Sequence, residues 1–158
     1  MRLTTFSDYA LRVLLYAANA SDRLVTIEET AKVYRVSRAH LMKVVNALTR
    51  AGYLKGVRGR SGGFSLARAP EQIRLGDVIR LVEPDFALVE CFATGNQCIL
   101  TQRCGLPPVV NEALNAFVNT FDRYTLADVA LRERDFLRAP AKKLGTRGPH
   151  IARPHPQP

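Results

Sequence analysis

The stretch from Thr26 to Ala67 narrows the fold more than any other part of the chain. Thr26-Ile27-Glu28-Glu29 is a capping box, with threonine at the cap and glutamate at the third helical position. The helix it opens is short, ending near Tyr34, with Ile27, Ala31 and Val33 available for a core. Arg35-Val36 then makes a tight turn. Ser37 caps a second helix running to about Ala51, in which Leu41, Val44, Val45 and Leu48 form an inward stripe. Two short capped helices joined by so brief a turn describe a helix-turn-helix.

The next residues extend that motif. Gly52 to Val57, then Arg58-Gly59-Arg60-Ser61-Gly62-Gly63, then Phe64 to Ala67 reads as strand, turn, strand, with tip glycines able to take the positive backbone angles a hairpin needs. A hairpin directly after a recognition helix is the wing of a winged helix. Gly62-Gly63 also invites a phosphate-loop reading, but no Gly-Lys-Ser/Thr and no following helix complete it.

Charge points to the partner. The chain carries a net +9, unevenly placed. Between Glu29 and Glu71 there is no acid, while Lys32, Arg35, Arg38, Lys43, Arg50, Lys55, Arg58, Arg60 and Arg68 supply nine cations. A focused positive field favours a polyanion, and nucleic acid comes first. A membrane surface is disfavoured because no basic amphipathic helix with a broad aromatic face accompanies the charge. The expected contacts with a double-stranded DNA operator are Ser37, Arg38, His40 and Lys43 at the start of the recognition helix, with the wing's Arg58 and Arg60 on phosphates or in the minor groove. The competing explanation is a solvated helix face, which the lack of compensating acid disfavours.

Around this motif, Phe6 to Ala20 places Phe6, Tyr9, Ala10, Val13, Leu14, Ala17 and Ala18 at helical spacing. Thr5 or Ser7 is the expected cap, and Asp8 with Arg12 one turn later is an exposed ion pair. Ile73-Arg74-Leu75 is extended, and Gly76-Asp77 opens a helix that Pro84 ends. Pro107 and Pro108 begin a long helix to about Arg123. Its stripe of Val109, Val110, Ala113, Leu114, Phe117, Val118 and Phe121 is wide enough to serve dimerisation, although packing on its own domain is the alternative. Thr125 to Asp128 caps a last short helix. From Arg138 onward, prolines, glycines and cations predict a disordered basic tail.

All three cysteines, Cys91, Cys98 and Cys104, fall in one polar loop between the motif and the long helix. An odd number of thiols is a poor disulfide framework. Ligation of a soft metal or an iron–sulfur cluster fits the spacing; buried packing and redox thiols are the alternatives. No Cys-x-x-Cys and no acid–base constellation supports an enzyme. The polar, charged start lacks the apolar run of a signal peptide, and no window approaches the ~18 apolar residues of a membrane span. Clustered cysteines in such a chain predict a reducing cytoplasm.

The sequence resembles the BadM-type (Rrf-two) winged-helix repressors and, within them, the NsrR-type nitric-oxide-sensing repressors. The resemblance covers about Met1 to Ala130. It rests on the opening Met-Arg-Leu-Thr-Thr-Phe-Ser-Asp-Tyr-Ala-Leu-Arg, on Val36-Ser37-Arg38-Ala39-His40-Leu41-Met42-Lys43-Val44 and on the wing Val57 to Gly63. Ile73 to Val78 with Glu83-Pro84, the three cysteines, and Tyr124 to Asp128 complete it. It implies a homodimer that represses genes of nitric-oxide detoxification and nitrogen-oxide metabolism. It also implies an iron–sulfur cluster on Cys91, Cys98 and Cys104, 4Fe–4S favoured and 2Fe–2S the alternative, whose nitrosylation releases DNA.

IscR-type relatives that sense cluster supply have a histidine soon after the third cysteine. This chain has Gly105-Leu106-Pro107-Pro108 there. The resemblance then maps the fourth ligand to Asp8 from the partner subunit, with Asp85 and Glu90 as local competitors. The alternative functions are an iron–sulfur or redox-sensing regulator of cluster biogenesis, or a zinc-stabilised winged helix without a sensing role. The expected organisation is mainly α with a small β-hairpin. Residues 1–83 form the winged helix-turn-helix DNA-binding domain, with its helix-turn-helix at about 26–51 and its wing at about 53–68. Residues 84–105 form the cysteine loop, 106–131 the dimerisation helix and short last helix, and 132–158 the tail.

Overall fold

The computed structural model describes residues 2–20 and 23–131; the expected basic tail, 132–158, lies outside the described residues. The first helix, α1 (Thr5–Asn19), begins one residue earlier than its apolar pattern suggests. Thr4, not Thr5 or Ser7, is the cap, its hydroxyl accepting from the Ser7 amide at 3.2 Å. Ser7 instead lies fully buried, its hydroxyl 3.0 Å from that of Thr4. Ala10, Val13, Leu14 and Ala17 are buried on the face that packs on α3 and α4.

Helix α2 (Ile27–Tyr34) is capped by Thr26, which accepts from the Glu29 amide at 3.0 Å. Only that half of the expected box closes. The Glu29 carboxylate turns to Arg23, at 2.5 and 3.0 Å, and accepts from the Tyr16 hydroxyl at 2.7 Å. A charged donor with two N–H groups outcompetes a single backbone amide. Val33, expected in the core, is 46% exposed. Arg35 ends the helix at φ 55° and turns the chain into α3 (Arg38–Arg50). Ser37 is the cap residue of α3, but its side chain makes no capping hydrogen bond. The expected stripe Leu41, Val44, Val45 and Leu48 is buried throughout.

The wing is an antiparallel pair, β1 (Leu54–Val57) and β2 (Gly63–Leu66), with Leu54 opposite Leu66 and Val57 opposite Gly63. Its glycines do two different jobs. Gly59, at φ 118°, provides the backbone angle of the tip. Gly63 provides closeness: the strand pairs with Val25 through Phe64, at 2.9 and 2.8 Å, and a Cβ on Gly63 would stand 2.5 Å from the Val25 carbonyl oxygen.

After a 3₁₀ turn at Pro70–Gln72, α4 (Leu75–Val82) buries Val78, Ile79 and Val82. The cysteine loop holds one 3₁₀ turn, Glu90–Phe92. Then comes α5 (Leu106–Asp122), whose Pro107 and Pro108 occupy the first turn, where a missing amide hydrogen costs little. The short α6 (Leu126–Val129) follows, capped by Thr125 and Asp128 as its sequence predicts. Leu126 is fully buried and its amide bonds to Ile73 O at 2.8 Å, so the end of the described chain completes the core of the first helices. The architecture is mainly α with one small hairpin, as expected.

Candidate nucleic-acid interface and cysteine loop

The basic surface is built by α3 and the wing. Arg38, His40 and Lys43 are exposed on α3, Ser37 is exposed just before it, and Arg58 and Arg60 are exposed on either side of Gly59. Four of these residues fall in two separate places, while Ser37 and Arg60 line neither. Arg38 and Arg58 share a groove of about 600 Å³ between α2, α3 and the wing, together with Thr26, Asn46 and Thr49. His40 and Lys43 lie on the side of α3 that faces α1. There they line a smaller pocket with Phe6 and Tyr9, and the His40 ring is 6.5 Å from that of Tyr9.

Glu28 is the residue that linear reading missed. Its carboxylate is 3.7 Å from Arg38, at the mouth of the groove. The acid-free stretch of sequence therefore does not give an acid-free face, because the turn folds the preceding residue back onto it. A signal was present: an acid in the first turn of α2 lies close to the first turn of α3 in any tight helix-turn-helix.

Behind this surface a polar seam joins α1 to α2. Tyr34 lies against the Arg12 guanidinium, 5.8 Å from its ring centre, and donates its hydroxyl to Arg12 O at 3.1 Å. Burial pushes its phenol up to about 12. The Arg23 hydrogen bonds hold Glu29 below its ordinary value.

The cysteine loop has no such core. None of residues 83–105 is buried. Cys98 is exposed, Cys91 and Cys104 are half-buried, and all three are free thiols. Polar bonds set the loop's path. Cys98 N donates to Asn96 Oδ1 at 2.9 Å, Asn96 Nδ2 donates to Thr101 Oγ1 at 2.8 Å, and Thr101 Oγ1 donates to Cys98 O at 2.7 Å. Leu106 N donates to Cys104 Sγ at 3.4 Å. Among the described residues no three histidine, cysteine or carboxylate side chains converge as a metal site. Asp8 is held by its own Arg12, at 2.9 and 2.8 Å through its two oxygens. Asp85 accepts from Ala87 N at 3.0 Å and Glu90 from Gln97 N at 3.2 Å, both within the loop region.

No residue of α5 is buried, although its Phe117 and Phe121 rings pack 5.0 Å apart. Arg80 of α4 anchors its far end through Asp122, at 2.7 and 2.5 Å.

A winged helix, a basic recognition face and a three-cysteine loop are a specific combination. A family model described as "Rrf2: Iron-dependent Transcriptional regulator" matches residues 3–132. The chain belongs to the Rrf2 family. It is similar to the HTH-type transcriptional regulator NsrR of Bacillus licheniformis, 47% identical, with 84% of this chain and 94% of that one covered. For NsrR of Bacillus subtilis the identity is 44%, over 87% of this chain and 96% of that one. Among solved structures, IscR of T. potens superposes with a TM-score of 0.65 at 25% identity, covering 82% of this chain and 85% of that one. This Rrf2 member is therefore an NsrR-type, DNA-binding transcriptional repressor and not an enzyme. Among the described residues no helix is long and apolar enough to cross a membrane.

Proposed function

We propose that the chain acts as a cytoplasmic homodimer that represses genes of nitric-oxide detoxification and nitrogen-oxide metabolism, and that nitric oxide relieves this repression. Ser37, Arg38, His40, Lys43, Arg58 and Arg60 hold the operator. Cys91, Cys98 and Cys104 hold an iron–sulfur cluster, 4Fe–4S rather than 2Fe–2S, with the partner subunit's Asp8 as fourth ligand. In this reading residues 1–83 bind DNA, 84–105 hold the cluster and 106–131 pair the subunits.

The observation that carries the proposal is the set of three free thiols on a single loop lacking any buried residue. Soft thiolates are the donor set such a cluster requires, and no histidine lies between Cys104 and His150 to complete it. When bound there, the cluster supplies iron that reacts with nitric oxide. The exposed face of α5, with Val109 61% exposed, supports pairing of two subunits. Asp85 and Glu90, the local competitors, each give one oxygen to a nearby backbone amide. Asp8 gives both oxygens to Arg12, so ligation across a dimer requires it to release at least one. Its neighbour Tyr9 lies against His40, so the partner that Asp8 chooses is one side chain from the recognition helix.

The test uses anaerobically purified full-length protein. Metal and sulfide analysis should find iron with sulfide, and Mössbauer spectra should show four-iron centres. Titration with nitric oxide should bleach the cluster absorbance and release an enriched duplex in gel shifts. Zinc without sulfide, or unchanged DNA binding after bleaching, overturns the reading.

A further inference from the structure

Among the described residues, the groove between the recognition helix and the wing is lined by one acid, Glu28. We propose that Glu28 is a specificity residue, which holds the Arg38 guanidinium back from the phosphate backbone so that Arg38 strengthens binding mainly where base edges receive it. The inference rests on reading Arg38 as a base contact.

Four observations support Glu28 in this role. It projects from the first turn of α2, the helix that crosses the backbone when a helix-turn-helix docks. Its carboxylate is 3.7 Å from Arg38, within ion-pair reach but beyond a hydrogen bond, so it compensates the charge without consuming the donor fork. Both side chains are open to a ligand, at 74% and 69% exposure. Its neighbour Glu29 is already committed to Arg23 and Tyr16, which leaves Glu28 as the acid of this turn that faces the groove.

Two complexes differ in what Arg38 meets. On a specific site Arg38 is on base edges, and a carboxylate beside it changes little. On any other sequence an uncompensated Arg38 would take a phosphate, adding one sequence-independent contact. Glu28 opposes that contact twice, by pairing with Arg38 and by repelling the phosphate. It lowers non-specific binding more than specific binding, and so widens their ratio.

The experiment measures binding of the full-length protein against salt concentration on two duplexes, one enriched by the unmodified protein from a randomised pool and one scrambled version of it. Glu28→Gln should bind the scrambled duplex about threefold tighter, and its log–log salt slope there should steepen by about 0.9, the signature of one more phosphate contact. Binding to the enriched duplex should change less. Glu28→Asp should restore the original behaviour, which controls for helix capping. In an Arg38→Ala background Glu28→Gln should leave the ratio unchanged. An equal gain on both duplexes, or the same gain without Arg38, overturns the role of Glu28. If Arg38→Ala alone leaves discrimination intact, the base-contact reading falls and the inference with it.

Discussion

The recognition scaffold and the cysteine loop are built on opposite principles. In the scaffold Val13, Leu14, Leu41, Leu48, Leu54, Ile73 and Leu126 meet in one core, each almost wholly shielded from water. In the loop, residues 84–105 bury nothing, and Ile99 is 96% exposed. The scaffold is specified by its own apolar contacts. The loop is specified by a few polar bonds. This is a suitable division for a switch, since a segment with little stability of its own responds most to a ligand.

The two regions should separate most sharply under truncation. Leu48→Ala removes a side chain with no room to relax and should cost about 2–5 kcal/mol, whereas Ile99→Ala should stay within about 0.5 kcal/mol. Urea unfolding of both variants checks this. Similar costs would mean that the loop is packed in solution after all. One step smaller is Gly63→Ala. Its methyl group would press on the Val25 carbonyl, with an expected loss of about 1–3 kcal/mol. Gly95→Ala in the loop meets no atom within 4 Å, so its strain comes only from a φ of 84°. It should cost less, about 1 kcal/mol.

These glycines also show what was legible in the sequence. The wing was readable from its residue types, but the reason for Gly63 was not, because Val25 reaches it only through the fold. Helix starts at Thr26, Pro107 and Thr125 were readable, since their signals lie within one turn. The partner of Glu29 was not, since Tyr16 comes from another helix. The same holds for Glu28 against Arg38, where a count of acids along the chain missed one brought in by a turn. At the cysteine loop the donor types could be read directly. Their arrangement could not, because no apolar pattern dictates where an exposed loop goes.

The seam between α1 and α2 offers a smaller effect with a defined sign. Tyr34 has its phenol raised to about 12 by burial, above the ordinary 10. The folded state therefore keeps the proton where the unfolded chain loses it. Its contribution is complete below about pH 10 and declines as pH rises toward 12. Tyr34→Phe should lose the bond to Arg12 O, worth about 0.5–1.5 kcal/mol. It should also flatten the fall of stability in that alkaline window, as followed by denaturant midpoints. A slope unchanged in the variant would assign the titration to another group.

The smallest effect on stability is expected at Asp8. Its pair with Arg12 is an exposed contact one helical turn apart, so Asp8→Asn should cost only about 0.3–0.5 kcal/mol. A side chain that matters so little to the scaffold can be exchanged between partners at little cost. If Asp8 serves the cysteine loop of a second subunit, Asp8→Asn should leave the unfolding midpoint nearly in place. It should still change the cluster's absorption spectrum and its rate of bleaching by nitric oxide. Arg12→Gln frees Asp8 from its own helix and leaves the ligand available; because it also takes the guanidinium off the Tyr34 ring, it should cost somewhat more, about 0.5–1 kcal/mol. A spectrum altered by Arg12→Gln but not by Asp8→Asn would move the fourth ligand away from α1, leaving Asp85 and Glu90 as the carboxylates to test. The scaffold would then have to sense the loop through the Thr4 amide on Glu83 Oε1, at 2.8 Å, and through the packing of α5 on α4.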